Sequence, residues 1–191
     1  MKFKTQELVL GAIMLGLATI LSFIKFNQLP YGGSVTLLSM FPIVFYALRC
    51  GVVKGLAVSI LYGFMQLFFG TESPLSWGLN LRTLIVCALL DYIVAYGVLG
   101  LAGIFRGKKN SLQVMGVASV LFLRFVSHFL SGVTIFKNFE TFTIFGAKIV
   151  NPYLYSIVYN GAYMLPEIVF TCVGMYIFLK LPVSKHLLAT A

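Results

Sequence analysis

Four ionisable residues lie deep inside apolar segments: Asp91, Arg124, His128 and Glu167. An isolated charge at membrane depth costs at least about 2.5 kcal/mol, so each needs a partner or a purpose. Arg124, Ser127, His128 and Ser131 stand at i, i+3, i+4 and i+7, one helical face. Further on, Tyr155, Ser156, Tyr159, Asn160, Tyr163 and Glu167 fall within a sector of roughly 140° when the chain is wound at about 100° per residue. Ile157, Val158, Gly161, Met164, Leu165 and Ile168 take the other side. A lipid-facing helix has no use for such a polar face, whereas a helix lining a ligand-filled cavity does. One carboxylate, one imidazole, one amide and many aromatic rings describe a pocket for a flat, partly cationic heteroaromatic ligand. Ring faces attract cations, a desolvated carboxylate supplies the counter-charge, and Asn and Tyr offer donors and acceptors to ring edges. The structural alternative is an Asp91–Arg124 ion pair, with Glu167 hydrogen-bonded to tyrosines, that only fixes packing. That alternative does not account for His128, Asn160 and the tyrosines around them.

The elements that must position these groups are membrane helices. Of 191 residues, 60% are hydrophobic and 10% charged, and the mean hydropathy is +0.98; a soluble domain of this size is not built so. Six spans are expected, at about Leu8–Ile24, Val35–Leu48, Leu56–Phe69, Leu81–Phe105, Leu112–Ile135 and Pro152–Leu181. They form one domain, residues 1–191, an all-α bundle of six transmembrane helices. The first segment lacks a small-residue cleavage site and reads as a retained span. The net charge of +9 follows the positive-inside rule and does not indicate a nucleic-acid partner. With both termini inside (N-in, C-in), the inner segments hold Lys2, Lys4, Arg49, Lys54, Arg106, Lys108, Lys109, Lys180 and Lys185 against Glu7. The outer segments hold Lys25, Arg82, Lys137 and Lys148 against Glu72 and Glu140.

At about 1.5 Å per residue, Asp91 and Arg124 lie at similar depth in the outer half. His128, Tyr159 and Asn160 fall in the same half. The loop Lys25–Ser34 contains Pro30, Gly32 and Gly33 and reads as a non-helical turn that lets backbone approach a ligand. Ala12 and Gly16 form a small-xxx-small pair on the first span, a site for close helix approach, either internal or to a partner. Cys50, Cys87 and Cys172 lack C-x-x-C spacing and read as membrane thiols without a disulfide or metal role. No nucleophile–base motif is present, so an enzyme is not expected, and no G-x-x-x-x-G-K-[ST] run provides an ATP site.

Several blocks carry a family resemblance: Tyr31–Ile43, Leu48–Leu56, Leu90–Tyr96, Arg124–Gly132 and Tyr155–Pro166. In order and over nearly the whole chain, they resemble the thiamine-specific S component of energy-coupling factor (ECF) transporters. The resemblance implies a six-helix bundle in the bacterial cell membrane that captures thiamine from outside. It would deliver the vitamin through a module of one transmembrane coupling protein and two ATPases. It implies that the family's acidic ligand residue is matched by Asp91, followed by Tyr92, its histidine by His128, and its last-helix tyrosine and asparagine by Tyr155 and Asn160. Tyr159, Ser34 and Gly33 complete the expected ligand contacts. The resemblance also implies that Ala12 and Gly16 dock on the coupling protein. The chain departs from some members, which have Glu at the place of Asp91, a stacking Trp at the place of Phe136 and another at the place of Gly33. Trp77 and Tyr31 are the aromatic residues able to substitute. No cofactor or metal is implied. Other readings are an S component for a hydroxymethylpyrimidine- or pyridoxine-like compound, or a small proton-coupled carrier using Asp91 and Glu167. The lack of an internal repeat argues against the carrier.

Overall fold

The computed structural model describes residues 4–29, 32–69, 73–135, 142–144, 147–149 and 151–189. The first helix, α1 (Thr5–Phe23), buries Gly11, Leu15, Ala18 and Ser22 at helical spacing and turns Leu8, Val9, Ile13, Leu17 and Ile20 outward. Glu7 closes its first turn by accepting from Lys4 N at 2.8 Å and pairs with Lys54. A hairpin follows, β1 (Lys25–Gln28) and β2 (Ser34–Thr36), paired antiparallel with a register shift between Lys25 and Asn27.

Among the described residues, five helices are long and apolar enough to cross a membrane. Besides α1 they are α3 (Val52–Phe69), α4 (Leu81–Phe105), α5 (Asn110–Ile135) and α6 (Pro152–Lys180). The expected second span, Val35–Leu48, is not a continuous helix. It is the strand β2, a turn, and then α2 (Phe41–Cys50), ten residues long. Ten residues rise about 15 Å, half the hydrocarbon thickness. Pro42 sits in the first turn of α2, where its missing N–H costs nothing. Leu38 has φ 57, a left-handed conformation that turns the chain from strand into helix. Non-helical backbone at this depth persists only where it lines protein or a cavity and its polar groups are satisfied. The polar partner of Thr36 N meets that condition. Ile43, Val44, Tyr46 and Ala47 are fully buried, so α2 is the apolar axis of the bundle.

The helix α4 changes winding along its length. It is α-helical over Leu81–Cys87, π-helical over Ala88–Val94, α-helical over Ala95–Gly97 and 3-10 over Val98–Phe105. Gly97, Gly100 and Gly103 repeat every three residues, the 3-10 period, so they share one face. A Cβ on Gly100 would lie 2.4 Å from Leu56 N, and one on Gly103 2.5 Å from Val52 N. The α3 backbone therefore packs directly on that face. A two-stranded hairpin, β3 (Phe142–Ile144) and β4 (Ala147–Ile149), lies between α5 and α6. A short α7 (Pro182–Ala189) ends the described chain, and Arg49 Nη1 donates to Leu187 O at 2.5 Å.

Ala12 and Gly16 are exposed, and Gly16 has no atom within 4 Å of where a Cβ would stand. Internal packing therefore does not explain this small pair. Gly100→Leu should lower the melting temperature of the detergent-purified protein, with overpacking worth about 1–3 kcal/mol. Gly16→Leu should not lower it, and should raise it slightly, since the site is open and helix interiors favour Leu over Gly. A thermal-shift measurement on both variants checks the contrast.

Candidate functional site

A polar-lined cavity opens between the β1–β2 hairpin and α4, α5 and α6. Asp91 lies in the π-helical stretch, a departure from α geometry that often accompanies functional sites. Gly63 of α3 has Tyr92 O 2.6 Å from where its Cβ would stand, which lets this wider turn press against α3. Ser127 Oγ donates to Leu90 O at 2.6 Å, satisfying a carbonyl of the same stretch.

Asp91 Oδ1 receives His128 Nδ1 at 2.8 Å, and Oδ2 accepts from Ser131 Oγ and from Cys87 Sγ at 3.4 Å. His128 Nε2 accepts from Arg124 Nε at 3.2 Å. A guanidinium only donates, so the His128 proton resides on Nδ1 and points at Asp91. The line Arg124–His128–Asp91 thus orients the carboxylate. The Asp91 side chain remains 19% exposed, on the cavity wall. The Asp91–Arg124 ion pair of the structural alternative is not what the structure shows: Asp91 meets His128 instead. Imidazole stands between Asp91 and Arg124 because His128 is one turn beyond Arg124 on the same face. Arg124 is buried, donates from Nη1 to Met40 Sδ at 2.7 Å, and lies 4.3 Å above the Tyr96 ring.

Glu167 lines the cavity too, but not with the tyrosine partners of the structural alternative. Its Oε1 accepts from Thr36 N at 2.5 Å and Thr36 Oγ1 at 2.6 Å, with Ser39 Oγ 2.6 Å further on. Among the described residues, no tyrosine takes that role. The bend after β2 brings Thr36 down to Glu167, and this is the contact that satisfies the extended backbone inside the bundle. Among the described residues, Oε2 has no hydrogen-bond partner although Glu167 is 2% exposed.

Asn160 joins α5 to α6. Its Nδ2 donates to Ser156 O at 2.9 Å and His128 O at 3.3 Å, and its Oδ1 accepts from Tyr163 Oη at 2.8 Å. Ser156 Oγ donates to Phe129 O at 2.8 Å, and a Cβ on Gly132 would fall 2.3 Å from it. Tyr155 and Tyr159 stack at 5.6 Å and Tyr159 meets Tyr163 edge-on at 5.9 Å. Gly33 N donates to Tyr159 Oη at 3.1 Å, tying the hairpin to α6. Asp91, Tyr92, His128, Tyr155, Tyr159, Asn160, Gly33 and Ser34 all line this one cavity. Phe136 and Tyr31 lie outside the described residues.

The sequence reading did not select Cys87, Thr36, Ser39, Met40 and Gln66, which also line the cavity. Cys87 carried a usable signal, being one helical turn before Asp91. Thr36 and Ser39 did not, because their segment read as part of a helix.

The fold and cavity define a class: a multi-pass helical membrane protein with a partly open, tyrosine-rich polar pocket. A sequence profile of the thiamine transporter protein family matches residues 8–186. The Bacillus subtilis (strain 168) protein "Thiamine transporter ThiT" is 31% identical over 175 residues, covering 83% of this chain and 82% of that one. A solved structure of ThiT from Listeria monocytogenes shares the fold, with TM-score 0.71 at 23% identity, over 95% of this chain and 96% of that one. The chain belongs to the thiamine transporter protein family, a family of transporters and not of enzymes, and is a multi-pass protein of the bacterial cell membrane.

Thr36→Val removes one bond to Glu167, whereas Glu167→Ala also leaves the buried Thr36 N–H without its acceptor. An orphaned buried donor costs about 1–3 kcal/mol. Glu167→Ala should therefore lower the melting temperature more than Thr36→Val, as measured by thermal unfolding in detergent.

Proposed function

We propose that the chain is the thiamine-binding S component of an ECF-type vitamin importer. It takes thiamine from outside into the cavity beneath the β1–β2 hairpin and passes it on through a separate coupling protein and two ATPases. The observation that carries the reading is the Asp91 carboxylate, oriented by His128 and Ser131 yet open to an aromatic cavity. A carboxylate at this depth is stable when a cation or strong donors face it. Thiamine brings both: a quaternary thiazolium nitrogen and an aminopyrimidine edge. Asp91 faces the positive part of the ligand, Tyr155 and Tyr159 supply ring faces, and Asn160 holds α5 and α6 at the spacing the ring needs. Tyr92 adds a further ring to the wall, with Gly33 and Ser34 giving backbone contact from the hairpin. Membership of the thiamine transporter family supports the ligand. The absence of a phosphate loop in the sequence and the outward-facing Ala12–Gly16 pair support a separate energy source docking on α1.

Equilibrium binding of labelled thiamine to the purified protein should show saturable one-site binding, indifferent to ATP. No binding, or ATP hydrolysis by the isolated chain, would contradict the reading. Asp91→Asn removes the charge at nearly constant shape. Loss of one member of a buried charge pair costs about 2–5 kcal/mol, so affinity should fall by about 30-fold or more. Replacing Ala12 or Gly16 with Leu should preserve thiamine binding and abolish uptake by whole cells. Unchanged uptake would place the coupling face elsewhere.

A further inference from the structure

An apolar recess, separate from the polar cavity, lies between the β1–β2 hairpin and α6. It is lined by Leu37 and Leu38, from the turn after β2, and by Phe170, Val173 and Ile177 of α6. The three α6 residues are exposed, so the recess opens away from the bundle. Phe26 of β1 also lines it and meets Phe170 edge-on, with ring centres 6.1 Å apart. A Cβ on Gly174 would stand 3.0 Å from Leu38 Cδ2. The bare glycine therefore seats Leu38 against α6 and gives the recess its floor.

Nothing polar is required of an occupant. Leu37 N donates to Ile24 O and Leu38 N to Thr36 O, both at 3.0 Å. Thr36 lines the recess too, but its N–H and hydroxyl are engaged by Glu167 and Ser39. The α6 helix is long and apolar enough to span a membrane, so hydrocarbon surrounds this face. A partner helix is poorly suited to it. Helices approach one another in bilayers through exposed small residues, whereas here Phe26, Phe170 and Ile177 project and Gly174 is taken by Leu38. An acyl chain needs no such small-residue face.

The stripe ends in a cation. Lys180 stands three residues beyond Ile177 and seven beyond Val173, on the same helical face. It is exposed in the last turn of α6, its Nζ 5.3 Å from the centre of the Tyr176 ring. From Phe170 to Ile177 the helix rises about 10 Å, and Lys180 lies one turn past that length. Basic residues at such a helix end attract anionic lipid headgroups.

We infer that the recess is a phospholipid site: one acyl chain lies along α6 from Phe170 to Ile177, and the headgroup phosphate meets Lys180. The chain backs the Thr36–Leu38 segment from the lipid side, while Thr36 holds Glu167 on the cavity side. The inference depends on the membrane fold and not on which ligand fills the polar cavity.

The test uses the whole protein in vesicles of phosphatidylglycerol and phosphatidylethanolamine. The probe is a phosphatidylglycerol with a photoreactive diazirine midway along one acyl chain. Label mapped by peptide mass spectrometry should concentrate on Leu37, Leu38 and Phe170–Ile177. It should be severalfold denser there than on the similarly exposed Ile13 and Ile20 of α1. Val173→Trp fills the recess from an exposed position and should lower this labelling severalfold. Leu165→Trp, equally bulky and on an exposed α6 position outside the recess, should not. Lys180→Gln should lower it too. Even labelling of α1 and α6 would mean ordinary contact with bulk lipid, and crosslinks to a second copy would make the face a dimer contact; either overturns the inference. Labelling undiminished in Val173→Trp or in Lys180→Gln overturns it as well. Should Val173→Trp not fold, the wild-type map and Lys180→Gln decide.

Discussion

A carboxylate inside a membrane protein must be held and must be faced. Asp91 is held by His128 Nδ1 and by two one-turn neighbours of the cavity wall, Ser131 and Cys87. His128 is in turn fixed by Arg124, whose guanidinium can only donate. The chain of three residues therefore has one proton arrangement, and that arrangement leaves Asp91 as the acceptor at its cavity end. Arg124 also lies on the Tyr96 ring of α4, so the same line of contacts fastens α5 to α4. Site and bundle share one network, and a change in the site's charge is felt by the packing of two helices.

The second constraint is the non-helical backbone in the upper part of the bundle. A half-length α2 leaves room for a cavity that a full sixth span would fill. The room exists because Glu167 satisfies Thr36 N and Tyr159 satisfies Gly33 N. These two contacts fix the hairpin to α6. The α6 helix thus serves three functions with one polar face: Tyr155 and Tyr159 as walls, Asn160 as the tie to α5, and Glu167 as the tie to β2. Its opposite face, with Ile157, Leu165 and Val169 exposed, meets lipid.

Much of this was legible in the residues. Hydropathy located the five long helices, because a spanning helix declares itself by length and apolarity. The polar stripes on α5 and α6 located the cavity, because a lipid-facing surface has no reason to carry Arg124, His128 or Asn160. The α2 region was misjudged because an apolar segment buried inside a bundle has the same composition as one that spans it; only Pro42 and the paired glycines hinted at the break. Which residue of α5 meets Asp91, Arg124 or His128, was not legible, because depth along a helix axis does not distinguish residues one turn apart. The π and 3-10 windings of α4 were not anticipated, although Gly97, Gly100 and Gly103 at a spacing of three recorded one of them.

The central claim is that Asp91 answers the ligand's positive charge. It is tested most directly by comparing thiamine with a same-shaped analogue whose quaternary ring nitrogen is replaced by carbon, each bound calorimetrically to wild type and to Asp91→Asn. The account predicts that the substitution greatly weakens thiamine and hardly affects the neutral analogue, leaving the two with similar affinities for the variant. Equal losses for both ligands would show that Asp91 serves a hydrogen-bonding edge and not the cation, and would contradict the account.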